Sequence, residues 1–320
     1  MRLYRTPASL PRPAASRPRA VAIGVFDGLH IGHRAVVERA RAAAASAGGS
    51  SLVFTFEPTP KEFFSPATAP PRLTRFRERF EQLDAAGIDE LFCPRFASVR
   101  DISPRDFVDE LLVARLGASH VIVGGDFRYG TERRGTVAEL RAHGDEHGFA
   151  VTEVAPVYFC GERVSSTAIR EALKIGDLAK ARGMLGRDYS ISGRVVRGLG
   201  LGRTLGFPTA NVNLKRLQAP IDGIFAARVT GLAAEPLDGV ASVGTRPTVG
   251  GGIALLEVLI FDFDGDIYGR YITVHFVKRL REERHFADLE AMQRQMRVDV
   301  DAARAALARV RDKGQGAGGR

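Results

Sequence analysis

Cysteine is scarce in this chain. Its 320 residues hold two, Cys93 and Cys160, which lie far apart and match no metal-ligand or redox spacing. Both stand beside apolar residues, so both are expected to be core thiols. Long apolar runs are missing too: no stretch reaches the ~18 apolar residues that a membrane span needs. The first twenty residues are rich in Pro and Arg and contain no hydrophobic segment of secretory type. The expectation is a cytoplasmic chain with no membrane partner. Lysine is the third scarcity, with six Lys among 46 basic residues, at a net charge of +9. The arginines are spread along the chain rather than clustered, and Ala and Gly are abundant as well, a bias that coding-genome composition can produce. Nucleic acid is therefore not expected as a partner. The same surplus of charge would serve polyphosphate ligands.

The length allows two domains of ordinary size, and the pattern changes near Gly186. Residues 1–18 read as loosely ordered. Beyond them, strand candidates at 20–26, 51–56, 90–94, 120–123 and 150–154 alternate with helix candidates at 32–47, 75–86, 103–116 and 137–146. This alternation predicts an α/β domain with a parallel, doubly wound sheet. After Gly186, short glycine-punctuated strands at 189–196, 223–229, 239–243, 253–261 and 270–276 predict a small barrel or sandwich. Asp264-Gly265 reads as a hairpin turn between the last two. A final helix is expected over 288–310, followed by a disordered Gly-rich tail. No internal repeat is visible.

The most informative stretch is Gly24-Val25-Phe26-Asp27-Gly28-Leu29-His30-Ile31-Gly32-His33. It joins a buried strand to a helix, where backbone N–H groups and the helix dipole favour an anion. Gly24, Gly28 and Gly32 would allow close approach of a phosphate. His30 and His33 are three apart and share one helix face, so both imidazoles can reach oxygens that gain charge during transfer. Ligands of open parallel sheets bind at the carboxyl ends of strands near a topological switch, which is where this turn would lie.

Further motifs follow in order: Thr55-Phe56-Glu57-Pro58; Gly124-Gly125-Asp126-Phe127-Arg128-Tyr129-Gly130; and Ser165-Ser166-Thr167-Ala168-Ile169-Arg170. Asp126 suits either hydrogen bonding to a ligand edge or an Asx turn. The Ser165–Thr167 hydroxyls either cap the helix running to Leu173 or reach a phosphate. Arg170, one turn in, is placed to neutralise polyphosphate. In the second half, Gly198-Leu199-Gly200-Leu201-Gly202-Arg203 precedes Gly206-Phe207-Pro208-Thr209-Ala210-Asn211. Thr209 and Asn211 face one way in extended chain, and their oxygens are hard donors suited to Mg²⁺ on ATP. Gly244-Thr245-Arg246-Pro247-Thr248 comes next, then Glu257 within an apolar strand, Tyr268-Gly269, and Arg281-Glu282-Glu283-Arg284-His285-Phe286. A carboxylate on an apolar strand is either outward-facing or functional.

From about Arg19 to Asp299 this ordered set resembles the bacterial bifunctional riboflavin kinase/FAD synthetases. The resemblance implies a Rossmann-like nucleotidyltransferase domain over 1–186, and over 187–320 a small antiparallel β-barrel riboflavin kinase domain with a C-terminal helix. It implies riboflavin, FMN, FAD and ATP as substrates and products, with Mg²⁺ at both sites. His30 and His33 would be catalytic in the first half, with Gly24, Phe26, Asp27, Gly28, Gly32, Ser166, Thr167 and Arg170 on ATP, and Asp126 and Phe127 on the flavin. In the second half Glu257 would be the catalytic base, Gly198, Gly206 and Pro208 would bind ATP, Thr209 and Asn211 the metal, and Arg281 and Phe286 the flavin. One departure is Thr59, where the family usually has His after Glu-Pro.

The two steps have different needs. Riboflavin attacks through a primary alcohol, so a base helps. FMN attacks through a phosphomonoester, with second pKa about 6, that is already anionic near neutrality. Positioning and charge stabilisation suffice there. Two rival readings stay open: a nucleotidyltransferase for another phosphorylated acceptor, and a flavin-binding regulatory protein that has lost one or both activities. Assembly into a homo-oligomer is also left open.

Overall fold

The computed structural model describes residues 1–11, 18–198, 206–216, 218–246 and 253–316. Its contacts divide the chain into two units. The first is Met1–Pro70 with Thr74–Ser166, and the second is Pro71–Leu73 with Thr167–Arg320.

The first unit is a six-stranded parallel sheet. Its elements run β1 (Arg2–Tyr4), β2 (Arg19–Ile23), α1 (Ile31–Ser46), β3 (Ser50–Phe54), α2 (Pro60–Phe64), α3 (Phe76–Ala85), β4 (Glu90–Phe92), α4 (Pro104–Asp106), β5 (Ala118–Gly124), α5 (Val137–His147) and β6 (Ala150–Val154). A π-helical stretch, Phe107–Arg115, continues from α4. The small hairpin β7 (Tyr158–Phe159) and β8 (Glu162–Arg163) follows. The strand order is β1-β4-β3-β2-β5-β6. Both faces are covered, which explains the near-continuous apolar strands. Val21, Ile23, Leu52, Phe54, Val121 and Val123 enter one core. Ala20, Ala22, Val53 and Ile122 enter the other, beneath Val36, Val37, Ala40 and Ala44 of α1. The order in which strands are added across the sheet reverses between β2 and β5, so the turn after β2 sits at the switch point.

Two expectations for this half are corrected. Residues 2–4 are not loose: they form an edge strand, β1, paired parallel with β4. Three residues carry too little pattern to read as a strand without knowledge of β4. Cys93 is buried, but Cys160 is exposed and takes a positive φ of 48° in the hairpin turn. Its apolar neighbours belong to a two-residue strand, not to a core.

In the second unit, α6 (Ser166–Lys174) and α7 (Leu178–Leu185) precede a closed antiparallel barrel. Its strands are β9 (Ser190–Val196), β10 (Ala210–Asn213), β11 (Gly223–Thr230), β12 (Leu237–Arg246), β13 (Ile253–Ile260) and β14 (Tyr271–Arg281), and α8 (Leu289–Gly316) closes the chain. The order around the barrel is β10-β13-β12-β11-β14-β9. Asp264-Gly265 therefore joins no hairpin. β13 pairs with β12 and β10, while β14 pairs with β11 and β9. The sixth strand, β10, begins inside the Gly206–Asn211 motif. The C-terminal helix extends through residues expected to be tail, and residues 317–320 lie outside those described.

The barrel's two faces are set by period two. Ala226, Val240 and Leu259 form one cross-strand row beneath Ala303, Ala306 and Leu307 of α8. Two residues along each strand, on that same outer side, lies the next row: Ile224, Ser242, Glu257 and Asn211.

Candidate active sites

In the first unit, the turn after β2 is held from several directions. The Asp27 carboxylate accepts the Thr74 amide at 2.9 Å and its hydroxyl at 3.1 Å, and Thr74 Oγ1 accepts the Gly28 amide at 2.9 Å. Ser166 Oγ donates to the Asp27 carbonyl at 2.9 Å. Gly28 takes φ +83°, a conformation that favours glycine, and Phe26 and Leu29 are held at φ 53° and 37°. Non-glycine residues in that region persist when surrounding bonds over-determine them. Asp27 thus shapes the turn rather than facing it with a free carboxylate. Gly24 lies against the Phe26 ring and Gly32 against the His30 ring.

His30 is the N-cap of α1, and its Nδ1 accepts the His33 amide at 3.2 Å. A neutral His30 then carries its hydrogen on Nε2, as a donor. The His30 and His33 rings stack with centroids 3.6 Å apart at 15°, and Phe26 meets His33 edge-on at 5.3 Å. Burial, His30 and the Arg79 guanidinium together hold His33 well below its ordinary value of 6.5. Its Nδ1 is buried without a hydrogen-bond partner among the described residues. The spacing thus does bring the two imidazoles together, as a stacked pair.

Asp126 is exposed after β5 and accepts from Arg163 of β8 at 3.1 Å. Phe127 stacks on Tyr129 at 5.8 Å. Thr59 is the N-cap of α2: it accepts the Glu62 amide, and its own amide donates to the Glu62 carboxylate at 2.9 Å. Sequence reasoning passed over Thr74, Arg79 and Arg163. Only Arg163, two residues before Ser165-Ser166-Thr167, stood beside a motif that could have drawn attention to it.

In the second unit, Thr167 is exposed, and Arg170 Nε donates to the Pro71 carbonyl at 2.6 Å. Glu257 is half-buried on the outer barrel face, directly across from Asn211 on one side and Ser242 on the other. Asn211 is 9% exposed. A Cβ on Gly198 would collide with the Asn211 side-chain amide. Gly206 takes φ +81°, Pro208 is exposed and Thr209 half-buried beside β10. Ser242 Oγ donates to the Glu283 carboxylate at 3.2 Å, which puts a second carboxylate next to the Glu257 row. Arg281 makes a two-pronged bond to Asp299 of α8, at 2.9 and 2.7 Å, and lies over the Phe286 ring at 5.7 Å. Its hydrogen-bonding edge thus anchors the helix while its face meets the aromatic ring. Leu199 to Arg203 and the Pro247-Thr248 pair lie outside the described residues.

A parallel α/β unit with a histidine pair at a helix N-terminus, in one chain with a closed barrel carrying a carboxylate beside hard oxygen donors, defines a two-site transferase. The comparisons place it further. Residues 12–168 match the sequence profile of the FAD synthetase family, and residues 185–307 that of the riboflavin kinase family. Two curated relatives named bifunctional riboflavin kinase/FMN adenylyltransferase are similar over most of their length. The one from Escherichia coli (strain K12) is 43% identical, covering 88% of this chain and 90% of that protein. The one from Pseudomonas fluorescens is 45% identical, covering 89% and 92%. A solved structure titled as a macrolide-efflux protein from Streptococcus pneumoniae shares the fold at TM-score 0.79 and 29% identity, covering 94% of this chain and 98% of its own. Among the described residues no helix is long and apolar enough to cross a membrane. The chain belongs to the bifunctional riboflavin kinase/FMN adenylyltransferase family.

Proposed function

We propose that this chain makes FAD from riboflavin in two ATP-dependent steps run by separate halves, in the cytoplasm: riboflavin + ATP → FMN + ADP within residues 187–320, then FMN + ATP → FAD + pyrophosphate within residues 1–186. Family membership makes the chain a riboflavin kinase and an FMN adenylyltransferase, with ATP as co-substrate of both. The assignment of steps to halves and of roles to residues is carried by one observation above the rest, the Asn211–Glu257–Ser242 row. A carboxylate there can accept the proton of a primary alcohol while neighbouring oxygens face the ATP side.

In the kinase step Glu257 takes the proton of riboflavin's terminal hydroxyl as that oxygen attacks the γ-phosphorus. Gly198, Gly206 and Pro208 line the ATP side, and Arg281 orients Phe286 toward the flavin. Thr209 and Asn211 offer a hydroxyl and an amide oxygen, a donor set that fits Mg²⁺. Among the described residues no group of three His, Cys, Asp or Glu side chains converges on a metal. ATP phosphates and water would complete such a shell, and bound Mg²⁺ would supply charge neutralisation of those phosphates.

In the adenylyl step the FMN phosphate is its own nucleophile. His30 and His33 donate hydrogen bonds toward the α-phosphate, with the backbone amides at the start of α1 beside them. Asp126, Phe127 and Arg163 stand on the flavin side, and Ser166 on the polyphosphate side. One reaction tests the whole: riboflavin, ATP and Mg²⁺ are incubated with the chain and the flavins separated by chromatography. FMN should appear first and FAD after it. FAD formed from FMN without FMN formed from riboflavin would remove the kinase half of the reading.

A further inference from the structure

Arg79, on the first turn of α3, is 1% exposed. Burying a guanidinium is costly unless its donors are taken up, so its partners show what it does. Nη1 donates to the Val25 carbonyl at 2.8 Å, and Nη2 reaches the Phe56 carbonyl and Glu57 Oε1, each at 3.4 Å. Val25 belongs to the turn that follows β2 and carries His30 and His33. Phe56 and Glu57 belong to the turn that follows β3. The same Val25 carbonyl also accepts from Thr55 Oγ1 at 3.1 Å. One planar fork therefore spans two neighbouring strand ends at the switch point of the sheet. Its Nε is buried and makes no hydrogen bond among the described residues.

We propose that Arg79 is a positioning residue for adenylyl transfer, tying the turn that carries His30 and His33 to the turn that carries Thr55–Pro58 so that the groups facing the phosphate keep one geometry. The proposal rests on the reading that the first half transfers an adenylyl group. A rigid planar fork suits the task, because both carbonyls must be met at once, and a Lys point charge would meet one. The cation has a second effect. With burial and His30, it opposes protonation of His33. The charged and titratable groups acting on His33 are thus His30 and Arg79, and Glu57 is paired to the latter at 3.4 Å.

The test uses the full chain and two variants, Arg79→Met and Arg79→Lys. FAD formation from FMN and ATP is followed as kcat, KM and pH profile, and FMN formation from riboflavin is measured in the same preparations. Arg79→Met should lower kcat for FAD by about 10–100-fold with little change in KM for FMN. Its acid limb should move to higher pH, because the charge that opposed His33 protonation is gone. Arg79→Lys keeps the charge, so its acid limb should match the parent while kcat recovers only in part. FMN formation should stay within about twofold of the parent in both, which shows that the second unit is intact. Parent-like kcat and acid limb in Arg79→Met would overturn the proposal, as would loss of both activities in both variants. An unaltered chain that forms no FAD would overturn the functional reading, and the proposal with it.

Discussion

The imidazoles of His30 and His33 lie face to face, 3.6 Å between centroids and 15° between planes, with His30 Nδ1 accepting the His33 amide. Two cations at that separation would repel, so double protonation of the pair is disfavoured. Replacing either by Ala should suppress FAD formation by on the order of 10²–10³ and spare FMN formation. Equal loss of both activities would assign the pair to folding instead.

Burial of His33, with His30 and Arg79 beside it, makes the first unit acid-sensitive. Folded His33 titrates well below 6.5, so as the pH falls below about 6.5 the unfolded chain takes up a proton that the folded one refuses. The contribution is complete above that value and is lost as pH falls toward the folded value. Denaturant melts at neutral and mildly acidic pH should show a smaller acid loss for His33→Gln than for the parent. Identical losses would show that His33 does not carry the effect.

Glu257→Gln should remove most kinase activity, by about 10²–10⁴, because it keeps size and hydrogen bonding but deletes the base. FAD formation from supplied FMN should continue. A Gln variant that phosphorylates riboflavin at the parent rate would leave Glu257 as an ordinary outward residue of β13.

Thr59→His restores the family's usual residue but replaces a cap. Thr59 closes α2 through Glu62, and losing such a cap costs about 1 kcal/mol. FAD synthesis should be unchanged or modestly higher, with a small fall in melting temperature. A large drop in FAD synthesis by a folded variant would mean that the site is built around the threonine.

Residues 187–320 alone should make FMN, at reduced thermal stability. In the full chain the carbonyls of Pro71, Arg72 and Leu73 are held by Arg170, Arg216 and Tyr189 at 2.6, 3.2 and 3.2 Å. A fragment from 187 lacks that segment and also α6 and α7. Comparing its melting temperature with that of residues 167–320 separates the two losses. A folded, soluble 187–320 fragment without kinase activity would count against two independent sites.

Much of this was legible in the chain itself. The turn from Gly24 to His33, the strand–helix alternation that follows it, and the glycine-punctuated strands beyond Gly186 are local patterns. They depend on residues within a few positions of one another, which is where backbone conformation and side-chain periodicity are decided. Other features needed the fold. β1 exists only because β4 offers it an edge. Asp264-Gly265 looked like a hairpin, yet barrel closure sends β13 and β14 to different partners. Glu257 stood out as a charge on an apolar strand, but Asn211 and Ser242 became its neighbours through strand register, which no local spacing encodes. Arg79 carried no signal at all in a chain with forty arginines. Its meaning comes from burial between two strand ends, and burial is a property of the packed sheet rather than of the residue.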